Sequence, residues 1–259
     1  MKKIISVAVS SLLILTGSRL FGQNAHFITS GVIEYDKTVN MYTMLKKQIN
    51  KDNEAFYQPI YDSYIKNQPQ FKKLKSTLSF TDNKTMFVPL PDENANTGFF
   101  GNTAMVNQNN IIFTDLQTKT LIGQKKVFDD AFLVKDSTRK IRWKITDETR
   151  EIAGYTCRRA NAVILDSIYV VAFYTEQIPV SGGPESFTGL PGMILGVALP
   201  HENVTWFATK VTEMTVLDKA MLPPKKGKPV NNAGLNKTLH DATKDWGNYK
   251  DAYLKGFSL

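Results

Sequence analysis

A chain of 259 residues, 42% hydrophobic and 22% charged, is long enough for one large domain or two small ones. Its composition excludes a collagen, a coiled coil and a wholly disordered chain, and a single cysteine, Cys157, excludes a disulfide framework within one molecule. The formal charge of +8 falls to +5 when Lys2, Lys3 and Arg19 are set aside with the leader that opens the sequence.

Lys2 and Lys3 precede an apolar run from Ile4 to Thr16, and Ser18 to Gly22 end in a small residue before Gln23. This is the layout of a secretory signal peptide, its apolar run too short for a stop-transfer helix. Residues 1–22 are therefore expected to be the leader, and 23–259 one exported domain. No cysteine lies near the cleavage point, so a lipoprotein anchor is excluded. The expected location is the periplasm, the outer-membrane surface or the medium. Ile168–Tyr174 and Met193–Pro200 are far shorter than the roughly 18 residues of a spanning helix, so the mature chain is expected to have none.

Gly31–Tyr35 reads as the first strand. Between Asn40 and Asn67, Met41, Met44, Leu45 and Ile49, then Phe56, Ile60 and Tyr64, recur at helical spacing, and Asp52-Asn53 can cap the second of two helices. Phe71–Phe80 alternates with Leu74, Leu78 and Phe80 in phase, and Asp82-Asn83-Lys84 turns the chain into Thr85–Val88. Residues 89–108 read as a long loop. Ile141, Trp143 and Ile145 alternate with Arg142 and Lys144, which predicts a strand with one buried face. Ala160, Ala162 and Ile164 continue the pattern, Ile168–Tyr174 reads as a strand buried on both faces, and Asn203–Val211 as another. Residues 221–236 read as a loop, and Leu239, Ala242, Trp246 and Tyr249 predict a helix through Asp241–Lys250. The fold class is α+β, one domain dominated by an antiparallel sheet.

The chemistry-bearing residues are sparse. His26, His201 and His240 each lack a second histidine or cysteine nearby, so no metal site and no cofactor is expected. Ser181 lacks the frame of a nucleophile elbow, and Gly189, Gly192 and Gly196 lack the lysine of a phosphate loop. Nine lysines against five acidic residues over 210–259 make a Lys-rich C-terminal segment of solvated charge. Without arginines interleaved with aromatics, nucleic acid is not an expected partner. Cys157, followed by Arg158 and Arg159, is either an inert core residue or a thiol free to react or to bridge molecules.

The densest signal lies between Tyr174 and Gly196. Four glycines and three prolines fall within Ile178–Gly192, which specifies one tightly folded loop. It is either a corner between strands or a binding loop. Gly189-Leu190-Pro191-Gly192-Met193-Ile194 resembles the hexapeptide that names the GLPGLI family of secreted Bacteroidetes-type proteins, with Met193 where that name has leucine. Lys140–Ile145 with Trp143, Glu148–Ala160 with Gly154, Tyr155 and Cys157, Tyr174–Pro179, and Gly182-Gly183-Pro184 with Phe187 resemble further blocks of the family.

The resemblance implies an exported protein of a Gram-negative envelope, near TonB-dependent outer-membrane transporters. It also implies a curved antiparallel sheet with a few helices, similar to LolA-like half-barrels and to the bowl-shaped domain of certain bacterial peptide-N-glycosidases. It carries over no catalytic residue. The expected function is a non-enzymatic binding module, holding a lipid-like molecule, a peptide or an envelope partner in the concave sheet face. The alternatives are an assembly partner of an outer-membrane transporter and a thiol-dependent enzyme using Cys157.

Overall fold

Alternating apolar and polar side chains make strands, and strands bury their apolar phase by pairing side by side. In the computed structural model, which describes residues 26–92, 104–107, 110–247 and 250–259, they form one sheet. The strands are β1 (Gly31–Asn40), β2 (Phe71–Thr81), β3 (Lys84–Pro89), β4 (Ile111–Asp115), β5 (Thr120–Val127) and β6 (Asp130–Ser137). They continue with β7 (Lys144–Ile152), β8 (Tyr155–Ile164), β9 (Ile168–Thr175), β10 (Met193–Leu199), β11 (Val204–Glu213) and β12 (Lys228–Val230). The helices are α1 (Met41–Lys46), α2 (Glu54–Asn67), α3 (Ala104–Asn107), α4 (Asn232–Thr243) and α5 (Lys250–Ser258). The segment expected to be the leader lies outside the described residues.

The strand order is β12-β6-β5-β4-β3-β2-β1-β11-β10-β9-β8-β7, open at both ends. Two meanders, β2–β6 and β7–β11, are joined by β1, which pairs with β2 on one side and β11 on the other. Every pair is antiparallel except β12 with β6. Lys37 on β1 and Lys125 on β5, four strands along, both act on the carboxylate of Glu185, an arrangement that fits a curved sheet.

The core sits on the inner face: Ile33 and Tyr35 of β1, Leu78 and Phe80 of β2, Trp206 of β11 and most of β9 and β10 are buried. β9 is buried on both faces, as its unbroken apolar run predicts. In the first helical region α1 buries Met41, Met44 and Leu45. In α2 the packed face is Tyr57, Ile60, Tyr61 and Tyr64, while Phe56 points to solvent.

Four expectations about elements change, the first being the loop over 89–108, of which Ala104–Asn107 form α3 while 93–103 and 108 lie outside the described residues. The Ile141–Ile145 alternation does not form a half-buried strand: β7 starts at Lys144, Ile145 is 40% exposed, and β7 pairs with β8 alone. As an edge strand it carries Asp147, Glu148, Arg150 and Glu151 and a register shift between Ile145 and Thr149, features that discourage further pairing. Residues 221–236 hold β12 and the start of α4, whose N-cap Asn231 accepts from the Gly234 N–H. Of the helix expected over 241–250, residues 241–243 are the end of α4, Gly247 sits at φ +55°, Tyr249 lies outside the described residues, and Lys250 begins α5.

Candidate functional site

The connection from β9 to β10, residues 176–192, joins neighbouring strands, yet it folds back over the inner face of the sheet. Seven consecutive residues, Gly182–Thr188, are buried. A buried irregular segment must satisfy its own backbone. Here the Val180 N–H donates to Ile178 O, Gly182 N–H to Val180 O, and Ile194 N–H to Gly182 O, each at 2.8 Å. Trp143 Nε1 donates to Thr188 O at 2.9 Å, and Tyr35 Oη to Ile194 O at 2.7 Å. Phe187 lies against Trp206, ring centroids 6.3 Å apart, and Leu190 is 2% exposed.

The structure brings Gly182, Gly183, Pro184, Phe187, Leu190, Gly192, Met193 and Ile194 into this buried plug, with Trp143 at its margin. Gly189, Pro191 and Pro179 stand exposed. Gly189 has φ +96°, whereas Gly192 is required by proximity: a Cβ there would lie 2.1 Å from Thr175 O. Gly154 and Tyr155 are elsewhere. Ala153 and Gly154, both at positive φ, make the tight β7–β8 turn. Tyr174 is buried, its hydroxyl 3.5 Å from Glu176 Oε1.

Cys157 is fully buried, and burial, with the Glu151 carboxylate adding to it, pushes its thiol up to about 12. Neither following arginine activates it. Arg158 pairs with Asp147 and Glu176, and Arg159 with Glu148. Among the described residues no group of three or more His, Cys, Asp or Glu could hold a metal ion.

At the centre of the plug is a set of ionisable groups that the sequence reading passed over. Glu185 is buried at φ +52°, a backbone conformation few non-glycine residues adopt, and Asn110 Nδ2 donates to its Oε2 at 3.1 Å. Burial raises its carboxyl above the usual range, with Lys37, the Asn110 hydrogen bond and Lys125 opposing. Burial lowers Lys37 and Lys125 to about 8 each, Glu185 opposing in both cases. Lys37 Nζ donates to Val106 O at 3.1 Å, Lys125 Nζ to Phe257 O at 3.2 Å, and Arg139 Nη2 to Ser258 O at 2.6 Å. Ser186 Oγ holds Leu259 O at 2.9 Å. These groups clasp the loop, α3 and the segment 257–259 to the sheet. A signal for them was present: Lys37 shares the apolar phase of Ile33, Tyr35 and Val39, and Lys125 that of Leu121 and Val127.

Two adjoining clefts open beside this clasp, between the β8–β9 turn, α4 and α5. One, of about 620 Å³, is lined by Ser167, His240, Asp251, Leu254 and Lys255. The other, of about 240 Å³, is lined by Lys125, Ser137, Thr138, Arg139, Lys140 and Asn232. Leu165, Asn236 and Ser258 line both. Leu165 and Asp166, at φ +49° and +58°, are the central residues of the β8–β9 turn that Ser167 N–H closes onto Ile164 O; Asp166 tolerates this conformation, whereas Leu165, 39% exposed, is strained by it.

A family model described as "Protein of unknown function (Porph_ging)" matches residues 162–196, which run from the end of β8 through β9 and the loop into β10. No curated protein matches the chain. Two crystal structures of PNGF-II are similar in fold. One superposes with a TM-score of 0.50 at 16% identity, over 81% of this chain and 33% of that one. The other gives 0.51 at 15% identity, over 88% and 33%. This chain thus spans about a third of the length of the PNGF-II chains it matches.

Proposed function

We propose that the chain is an exported, non-enzymatic binding module of the bacterial envelope, a GLPGLI-type protein, whose ligand lies in the lateral groove formed by the two joined clefts. The observation that carries this reading is Leu165, a strained and exposed residue of the β8–β9 turn at the junction of both clefts. Strain persists where the surroundings impose it, and it clusters at binding sites. A volume of about 620 Å³ is that of an ordinary small-ligand site. The reading keeps a LolA-like half-barrel, which a curved sheet fits, but with the chain's own loop filling the hollow. Against a thiol enzyme stands the buried, protonated Cys157.

The test is capture from native envelope extracts with the chain lacking residues 1–22. Leu165→Asn suits the turn better, because asparagine tolerates positive φ. It should keep or raise Tm while weakening capture, and Ser167→Trp, obstructing the groove, should do the same. Capture indifferent to both substitutions defeats the groove. One observation favours assembly with an envelope partner such as an outer-membrane transporter: Met214, Leu217 and Leu222, within nine residues, are 50%, 58% and 58% exposed. Capture lost only on Leu217→Glu with Leu222→Glu selects that reading.

A further inference from the structure

We infer that the smaller cleft is an oxyanion pocket, built by Lys125, Arg139 and Lys140 with the hydroxyls of Ser137 and Thr138, and that it takes a phosphate group. The inference rests on the lateral groove proposed above and names the chemistry of its inner end. Three cations line this cleft of about 240 Å³, and no carboxylate is among its lining residues. The nearest acidic side chain on the same strand, Asp136, is occupied: it accepts from the backbone N–H groups of Ser137 and Asn232. Behind the cleft, Lys37 and Lys125 share the carboxylate of Glu185, the one buried acidic side chain among the described residues, and Arg139 adds a further positive charge beside Lys125. Buried cations in excess of their counter-charge are costly, and a bound anion removes that cost.

The donors are also there. An ammonium has three N–H groups and a guanidinium five. Lys125 uses one on Phe257 O, Arg139 uses one on Ser258 O, and Arg139 Nη1 makes no hydrogen bond. A guanidinium beside ammonium groups is the donor set that recognises phosphate oxygens. The cleft is too small for a whole drug-sized molecule and suits the anionic end of one whose remainder lies in the larger cleft.

The chain lacking residues 1–22 is titrated with sodium phosphate, against sodium chloride at matched ionic strength, by calorimetry and by thermal unfolding. Phosphate should raise Tm in a saturating way, as a ligand of the folded state does. Lys140→Glu, at an exposed position, should weaken phosphate at least tenfold with Tm in chloride unchanged, and Arg139→Gln should weaken it further where it folds. Lys119→Gln, outside the cleft, should change nothing. Phosphate that stabilises no more than chloride, or binds Lys140→Glu and wild type alike, overturns the pocket. Co-sedimentation with phosphatidylglycerol vesicles but not phosphatidylcholine, lost in Lys140→Glu, assigns a lipid headgroup. Phosphate binding with no vesicle binding assigns a soluble phosphate, and either result supports the pocket. Ser167→Trp should block envelope capture yet leave phosphate affinity unchanged, so the groove and the pocket fail separately.

Discussion

A methyl group at position 192 tests the packing of the loop most directly. The Cβ of Gly192→Ala would lie 2.1 Å from Thr175 O and 2.7 Å from its carbonyl carbon, where ordinary contact begins at 3.4 Å. Both are main-chain atoms of the last residue of β9, which pairs with Met193, so no side chain can swing aside. Overpacking costs about 1–3 kcal/mol where neighbours can yield. Here the strand itself must move, which puts the cost at about 3 kcal/mol, a fall in Tm of about 6–12 °C for a domain of this size. Gly189→Ala and Gly154→Ala serve as controls. Both glycines have positive φ, but an added Cβ meets nothing closer than 3.6 Å at Gly189 and nothing within 4 Å at Gly154. Each should cost only about 1–2 kcal/mol of backbone strain. Denaturant and thermal unfolding of the three variants give the order. Gly192→Ala no less stable than Gly154→Ala would refute the argument, and unchanged melting with lost envelope capture would make the loop a recognition element.

Leu190→Ala, at a core position under the loop, should cost about 2–5 kcal/mol in the same global transition, and a separate early transition would show that the loop is not part of the core. Cys157 should resist thiol reagents in the native protein at neutral pH, and Cys157→Ala should cost roughly 1 kcal/mol; rapid labelling contradicts the burial and the raised thiol. Lys37 gives a pH signature. Its folded-state value of about 8 lies below the ordinary 10.5, so between those values the unfolded chain binds more protons, and this residue makes stability rise with pH. Lys37→Met lacks that gain, so relative to wild type it should lose roughly 1–3 kcal/mol between pH 7 and pH 10; a difference that does not vary with pH refutes it.

The strands β1, β2, β3, β8, β9 and β11 were legible, because period-two alternation depends only on local residues, whereas β4, β5 and β6 drew no reading and β12 was read as loop. Position within the sheet was not legible. Ile141, Trp143 and Ile145 alternate as cleanly as the residues of β1, yet Ile145 lies on an exposed edge and Trp143 turns away to hold Thr188 O. The end of the chain misled for a related reason. Leu239 belongs to α4, while Trp246 lies past its end against Phe128 and Tyr253, so helical spacing was counted across a break. In the loop, glycine content foretold tight folding but not its cause. Gly189 serves for its φ and Gly192 for the closeness of Thr175, and composition cannot separate the two. Lys37 and Lys125 stand out as charges on apolar phases, but nothing local names Glu185 as their common partner, because that meeting spans four strands of the sheet.

The place of the proposed groove is consistent with how the sheet is covered. A twelve-stranded sheet must bury one apolar face, and α2, the longest helix described, contributes no fully buried residue. The 176–192 loop therefore does the covering, and as irregular backbone it stays buried only while each polar group keeps its partner. Those partners come from Trp143, from the Met193 and Ile194 N–H groups and from the loop itself, and the Glu185 clasp adds charge-assisted contacts to α3 and to residues 257–259. Opening the loop would break these together and strand a carboxylate and two lysines, a larger loss than the gain from one small ligand. The filled hollow is thus the less favourable place for a ligand, and the proposed groove lies instead at its rim, where the Leu165-Asp166 turn and the basic cleft adjoin.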